Sequence, residues 1–308
     1  MRFKKFTPGV IALAILIIIA AVVLWLLIPL HPSERKNNLH GQAYMAGMIR
    51  MNVLWDRPFS SIIAALPGNT VAVGNIPFFL RPLVPPTVEF YLQDSKSGGG
   101  WAIAADLGWR SKIFRMLHTV IIGQMQYRGV GAIEDDYNLR TPAGTRLLFY
   151  QDGGTLFIAE GENIIERILG PDSITGHNVD RADLQNSVLE TQDKRVMTNI
   201  SFSNIDGDVT KGIEMMEGKA GFMLFPSAGS LIKGSMNIRH TGRDTIAGAI
   251  TLIVREDGDI EGVEGDAAYL TDLIDRFLSA QDMKSDRTIN REDSKITIQI
   301  MIHPDGGE

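Results

Sequence analysis

The sequence predicts an α+β protein, with an N-terminal transmembrane helix followed by a mainly antiparallel-sheet ectodomain of two β-hairpin–helix repeats. Three observations carry this. Residues 10–30, VIALAILIIIAAVVLWLLIPL, contain no charged side chain. Beyond them, short apolar stretches alternate with period two, the pattern of half-buried strands. A hairpin followed by a helix at 145–169 is echoed at 250–278.

A helix of these 21 residues would be about 31 Å long, the thickness of a bilayer's hydrocarbon core. Val10 and Leu30 bound the span, Ile17 lies at its middle, and Trp25 sits near its far end, where an indole reaches the headgroup level. Arg2, Lys4 and Lys5 precede the run without an acid among them. The positive-inside rule then places residues 1–9 in the cytoplasm and the bulk of the chain outside. A cleaved signal peptide is the competing reading. It fits less well, because the run exceeds an ordinary h-region and Ile28-Pro29-Leu30-His31 offers no small-x-small cleavage site.

Residues 1–36 carry five Lys/Arg and one Asp/Glu, which leaves 25 basic against 35 acidic residues beyond them, a balance of −10. So acidic an ectodomain argues against nucleic acid as a partner and against broad adhesion to anionic lipid. The chain has no cysteine, which excludes disulfides, thiol catalysis and Cys-ligated metals. A cysteine-free ectodomain of this size fits the outer side of a bacterial cytoplasmic membrane.

Residues 31–58 read as a juxtamembrane linker and an amphipathic helix. Tyr44, Met45, Met48, Ile49, Val53 and Trp55 recur at near-helical spacing over 41–55. A first repeat is expected over 59–178. It opens with a short helix at 59–66 and, after the Pro67-Gly68-Asn69 turn, a strand at 70–75. The following IPFFLRPLVPP, with four prolines, cannot be a central strand. Its Phe78, Phe79 and Leu80 either cover the core or meet a partner or the membrane. Strands follow at 87–92 and 101–106. Ile113, Met116, Leu117, Val120, Ile121 and Gln124 then predict a helix over 109–124 with that stripe inward and Arg110, Lys112 and Arg115 solvated. A strand is expected at 127–134. Two apolar strands flank Asp152-Gly153-Gly154, a hairpin signal, and a helix starts near Glu162.

The second repeat, 179–303, has expected helices at 180–190 and 208–217. Strands are read at 196–205, 231–240, 245–254 and 295–302, and 304–308 is a tail. With a shift of 105 residues Asp152-Gly153 falls on Asp257-Gly258, and Ile164, Ile165, Ile168 and Leu169 fall on Tyr269, Leu270, Leu273 and Ile274. Turn and helix face coincide without a gap, the signature of an internal duplication. Leu66-Pro67-Gly68-Asn69-Thr70 and the 147–169 hairpin–helix unit resemble a family of uncharacterised bacterial proteins with one N-terminal anchor and a duplicated α+β ectodomain. The resemblance covers about 60–303. It implies architecture and no activity, and the second copy lacks the Leu-Pro turn.

Sequence motifs for chemistry fail on inspection. Ser230 and Lys233 imitate the S-x-x-K box of penicillin-interacting enzymes, beside Ser235-Met236-Asn237 and His240-Thr241-Gly242. All lie along one predicted strand, where Ser230 and Lys233 point to opposite faces. Asn204, Asp206, Asp208 and Thr210 open like a calcium loop, but Val209 replaces the central glycine and Met215 the bidentate acid. The acids between Glu256 and Asp266 suit a turn and a helix cap. Glu134-Asp135-Asp136 reads as a charged loop, and the six histidines never fall at metal-binding spacing. No catalytic, cofactor-binding or metal-ligating residue is assigned.

The expected function is therefore a non-enzymatic binding or scaffold protein of a bacterial envelope, held in the cytoplasmic membrane by one span. Its expected partners are the bilayer, through the N-terminal helix, and a protein of the envelope. A carrier or sensor taking a lipid or peptide between sheet and helices is the second reading. A hydrolase with an unrecognised carboxylate site is the third.

Overall fold

The computed structural model describes residues 17, 20, 24–25, 28–40, 43–51, 81–93, 99–135, 137–142, 144–170, 195–204, 207, 209–211, 225–242, 245–279 and 282–304. Phe78, Phe79, Leu80, the Leu66–Thr70 turn, the helices expected at 59–66 and 180–190, the strand at 70–75 and the 178/179 boundary lie outside them. So do Val10 and most of the apolar run. Ile17, Ala20, Leu24 and Trp25 are helical and exposed. Among the described residues no helix is long and apolar enough to cross a membrane.

Twelve antiparallel strands form one sheet: β1 (Ala43–Arg50), β2 (Thr87–Gln93), β3 (Gly100–Asp106), β4 (Ala132–Ile133), β5 (Asn138–Arg140), β6 (Arg146–Asp152), β7 (Thr155–Glu160), β8 (Val196–Ser203), β9 (Leu231–His240), β10 (Ile246–Val254), β11 (Met283–Glu292) and β12 (Lys295–Pro304). Their order across the sheet is β11-β12-β10-β9-β8-β1-β2-β3-β7-β6-β5-β4. Among the described residues the α-helices longer than one turn are α1 (Ser111–Tyr127), α2 (Glu162–Leu169) and α3 (Ile260–Ser279). An α+β class with a mainly antiparallel sheet is what the alternating sequence predicts.

Reading outward from the central β8–β1 pair, the halves run β1-β2-β3-β7-β6 and β8-β9-β10-β12-β11. In each half three strands lead to a long helix and then a hairpin whose second strand pairs with the third. The common unit is thus β-β-β-α-β-β, which differs from the hairpin–helix unit at a shift of 105. Residues 259–265, which the echo of the first hairpin would make its second limb before a helix from Asp266, instead run into α3, which starts at Ile260, and Asp257-Gly258 turns β10 into that helix. Asp259 accepts a hydrogen bond from the Gly262 amide (2.8 Å), so the acids here cap a helix.

Alternation assigns the two faces. On the front, Phe114, Ile121, Ile122 and Met125 of α1 pack on Leu147, Phe149, Leu156 and Ile158. Val263 and Ala267 of α3 likewise pack on Leu252, Val254, Ile296 and Ile298. On the back, Ile164, Ile165 and Ile168 of α2, with Leu39, seal Tyr91, Leu148, Phe157 and Ala159. Gly47 and Gly234 sit opposite Phe90 and Phe202 on neighbouring strands, and each ring occupies the space a Cβ would need.

Two further expectations change, and one strand goes unread in the sequence. The helix expected over 41–55 is a strand across Ala43–Arg50. As the central strand it is covered on both faces, so its apolar residues run nearly continuously and mimic helical spacing. The strand expected at 127–134 is instead the end of α1, a turn and the two-residue β4. β11, which has no apolar alternation, carries no signal in the sequence.

Candidate functional site

The densest polar arrangement forms where the linker after the apolar run meets the sheet. At the Asp152-Gly153-Gly154 turn, the Gly154 amide donates to the His31 carbonyl (2.6 Å). Gly153 has φ of +54°, as a tight hairpin turn needs. The second glycine has a different cause: a Cβ there would collide with the carbonyl oxygens of Leu30 and His31. Linker and turn lie backbone to backbone.

Side chains extend the seam. The Leu30 amide donates to Ser111 Oγ at the start of α1 (3.1 Å). The Ser33 amide donates to Thr155 Oγ1 (2.9 Å), and Ser33 Oγ donates to Asp152 Oδ2 (2.5 Å). Arg35 pairs with Asp152 (3.2 Å) and donates to the carbonyls of Ile168 and Gly170 (2.5 and 3.2 Å). It thus satisfies the C-terminal carbonyls of α2 with a cation, which suits the helix dipole.

Lys36 goes deepest. Its ammonium lies 3.0 Å from Glu89 Oε1 and 2.9 Å from Asp106 Oδ2. Tyr91 donates to the other oxygen of Glu89 (2.5 Å), and Thr155 donates to Asp106 Oδ1 (2.9 Å). Burial alone would lower the lysine pKa, but the two carboxylates outweigh it and hold the group above its ordinary value. Burial, then Glu89, pushes the Tyr91 phenol well up. The lysine stays charged and the tyrosine neutral at physiological pH. The cluster binds the linker to the sheet.

The residues singled out in the sequence are placed as follows. Ser230 Oγ accepts a hydrogen bond from the Asp259 amide (3.0 Å), while Lys233 lies exposed on β9. Asn204 is fully buried: it donates to Thr210 Oγ1 and the carbonyls of Ala228 and Leu231, and accepts from the amides of Val209 and Thr210. It ties its own loop to the segment that leads into β9, a role its place in a calcium-like string gave no hint of. Glu134 pairs with Arg140 (2.5 Å), and Asp135 accepts the amides of Tyr137 and Asn138 (both 2.8 Å) in an Asx turn. His118 is half-buried; its Nε2 lies 3.1 Å from the Phe149 carbonyl and its ring is tilted against that of Tyr137. Among the described residues no three His, Asp or Glu side chains converge as a metal requires. Of the anchor residues, Ile17 and Trp25 are exposed, and Leu30 lies half-buried at the start of the seam.

The back of the C-terminal half carries an open groove of about 520 Å³, floored by Ala247 and Ala249 and edged by Asn237, Arg239, Asp286 and Gln299. It lies on the face away from α3, not between sheet and helix. Comparison of the chain with protein-family models, curated proteins and solved structures yields no match.

Proposed function

We propose that this chain is a membrane-anchored, extracytoplasmic, non-enzymatic binding or scaffold protein of a bacterial envelope. The observation that carries the reading is the seam between linker and sheet. Residues 30–36, directly after the apolar run, are built into the fold through Ser111, Gly154, Thr155, Asp152, Glu89 and Asp106. Such a seam sets a domain close against an anchor that ends at Leu30, whose own amide bonds Ser111. The buried lysine and tyrosine are held in forms that fix the chain in place, which favours binding over hydrolysis. The sequence resemblance to singly anchored bacterial proteins and the absence of cysteine agree with this location.

The test is carbonate extraction of membranes from cells expressing the full chain, with N-terminal sequencing of the product. Retention in the pellet with residues 10–30 intact is expected. A polypeptide beginning after His31 and free of membrane overturns the reading.

The groove on the back of β9–β12 favours the carrier reading as runner-up, with an extended peptide or lipid tail against Ala247 and Ala249. Ala249→Trp would fill it. Lipid or peptide that copurifies with the parent chain and is lost from this variant would favour the carrier over the scaffold.

A further inference from the structure

We propose that α1 is a membrane-contacting helix, its outer face lying in the interfacial region of an anionic bilayer beside the exit of the anchor. This rests on the membrane-anchored reading above. The sequence pattern places Ile113, Met116, Leu117, Val120, Ile121 and Gln124 inward, yet the helix packs on the sheet through an adjoining side, Phe114, Ile121, Ile122 and Met125, which shares only Ile121 with that stripe. Met116, Leu117, Val120 and Tyr127 are 68, 45, 59 and 87% exposed. At 100° per residue they share one side with Ile113. The helix is thus apolar over one wide arc, of which the sheet covers only one side.

Three observations identify the occupant of the other. First, residues 107–133 contain Arg110, Lys112, Arg115 and Arg128 and no carboxylate, in an ectodomain whose balance is −10. An apolar face flanked by cations is the composition of a helix lying in a membrane interface, and the cations match anionic headgroups. Second, the helix begins at the end of the apolar run. Lys112 Nζ donates to the Trp25 carbonyl (2.6 Å) and lies 4.3 Å from the Trp25 ring, and Ser111 holds the Leu30 amide. Its exposed face therefore starts where the chain would leave the lipid. Third, the described residues of the apolar run do not seal that face: Ile17, Leu24, Trp25 and Ile28 are each more than half exposed, as are Met116 and Val120. The equivalent helix of the other half is a built-in control. The outward positions of α3 are Glu261, Gly265, Tyr269, Asp272 and Arg276, an ordinary solvated face.

The cysteine-free chain allows a direct test. Single cysteines at Ala20, Val120 and Tyr269, all exposed, are labelled with an environment-sensitive fluorophore in the full-length protein. Each is reconstituted into phosphatidylcholine vesicles with and without phosphatidylglycerol, with doxyl-labelled lipid as quencher. Expected are a blue shift and quenching at 20 and 120, none at 269, and stronger quenching at 120 when phosphatidylglycerol is present. Quenching at 20 without quenching at 120 overturns the inference and leaves the anchor standing. No quenching at either overturns both. Equal quenching at 120 in the two lipid mixtures overturns the headgroup assignment. Shielding of 120 seen only in native membranes, without doxyl quenching, overturns the inference and assigns the face to a protein.

Discussion

On β7, Phe157 faces the back of the sheet and is fully buried beneath α2 and the linker. On β12, the matching strand of the other half, the back-facing residues are Lys295, Thr297, Gln299 and Met301, and Met301 is 45% exposed. Both halves follow β-β-β-α-β-β, and both pack their long helix on the front. They part on the second face. The N-terminal half is a three-layer structure sealed on both sides; on the C-terminal half no described element covers the back. The lesson is that one topology can serve as a rigid mount at one end and present an open sheet at the other. The element that converts one into the other is the chain leaving the apolar run.

The largest expected effect is therefore asymmetric. Phe157→Ala should cost about 3–5 kcal/mol, the scale for an aromatic truncated in a closed core. Met301→Ala should stay within about 0.5 kcal/mol, as surface changes do. Urea unfolding of both variants checks this; comparable losses would mean that the back of the C-terminal half is sealed too.

How much of this the sequence discloses depends on what each residue's environment leaves in the pattern. Strands buried on one face, such as β9, β10 and β12, alternate and are legible, as is the Asp152-Gly153-Gly154 turn. β1, covered on both faces, loses its alternation and reads as a helix. β11 is an edge strand whose Lys284, Asp286, Arg287 and Arg291 blunt pairing with another chain, and charge erases the strand signal. α1 is legible as a helix but not in rotation, since apolar residues occupy two of its sides. The seam is invisible in sequence because its partners lie far apart: Ser33 meets Asp152 and Thr155 across 119 and 122 residues. Asn204 shows the same limit, because a buried asparagine that joins two segments looks like any polar residue after a strand.

Next in size is Lys36→Met, which leaves Glu89 and Asp106 facing each other in a partly buried site. The side chains of this cluster are 15–35% exposed, so the loss should fall at about 2–3 kcal/mol, below that of a fully buried pair. The matched change in the other half, Arg239→Met at the groove, should cost less than about 0.5 kcal/mol. The pH dependence follows from the raised lysine pKa. A group raised on folding stabilises fully below its unfolded value, about 10, and loses that contribution as pH climbs through the higher folded value. Tyr91 acts in the same direction. The parent and Lys36→Met should thus differ at neutral pH and converge in alkali. A constant gap across that range would show that charge is not what holds the linker.

The edge of the N-terminal half carries β4 and β5, which have no counterpart beyond β11. Asp135 shapes the turn between them. Burial raises its carboxyl somewhat, but the amides of Tyr137 and Asn138 outweigh this and hold it below the usual range. A depressed carboxylate stabilises above its unfolded value, near 4, and the contribution disappears as pH falls through the folded value. Asp135→Ala should cost about 0.5–1 kcal/mol at neutral pH, the scale of a side-chain cap, and nothing in strong acid. Unfolding followed across that range checks the sign, and a gap that widens toward acid would contradict it.

The smallest effect is the one that separates the two long helices. If the outer side of α1 contributes nothing to the packed domain, Val120→Ser with Met116→Ser should leave urea stability within about 0.5 kcal/mol of the parent, as Tyr269→Ser on α3 should. The pairs should diverge only when lipid is present. Membrane-inserted protein should lose protease protection around α1 in the first variant and show no change in the second. A substantial loss of stability without lipid would place Val120 and Met116 inside the folded chain. The two helices would then differ in how they fold the domain, and not in what they meet outside it.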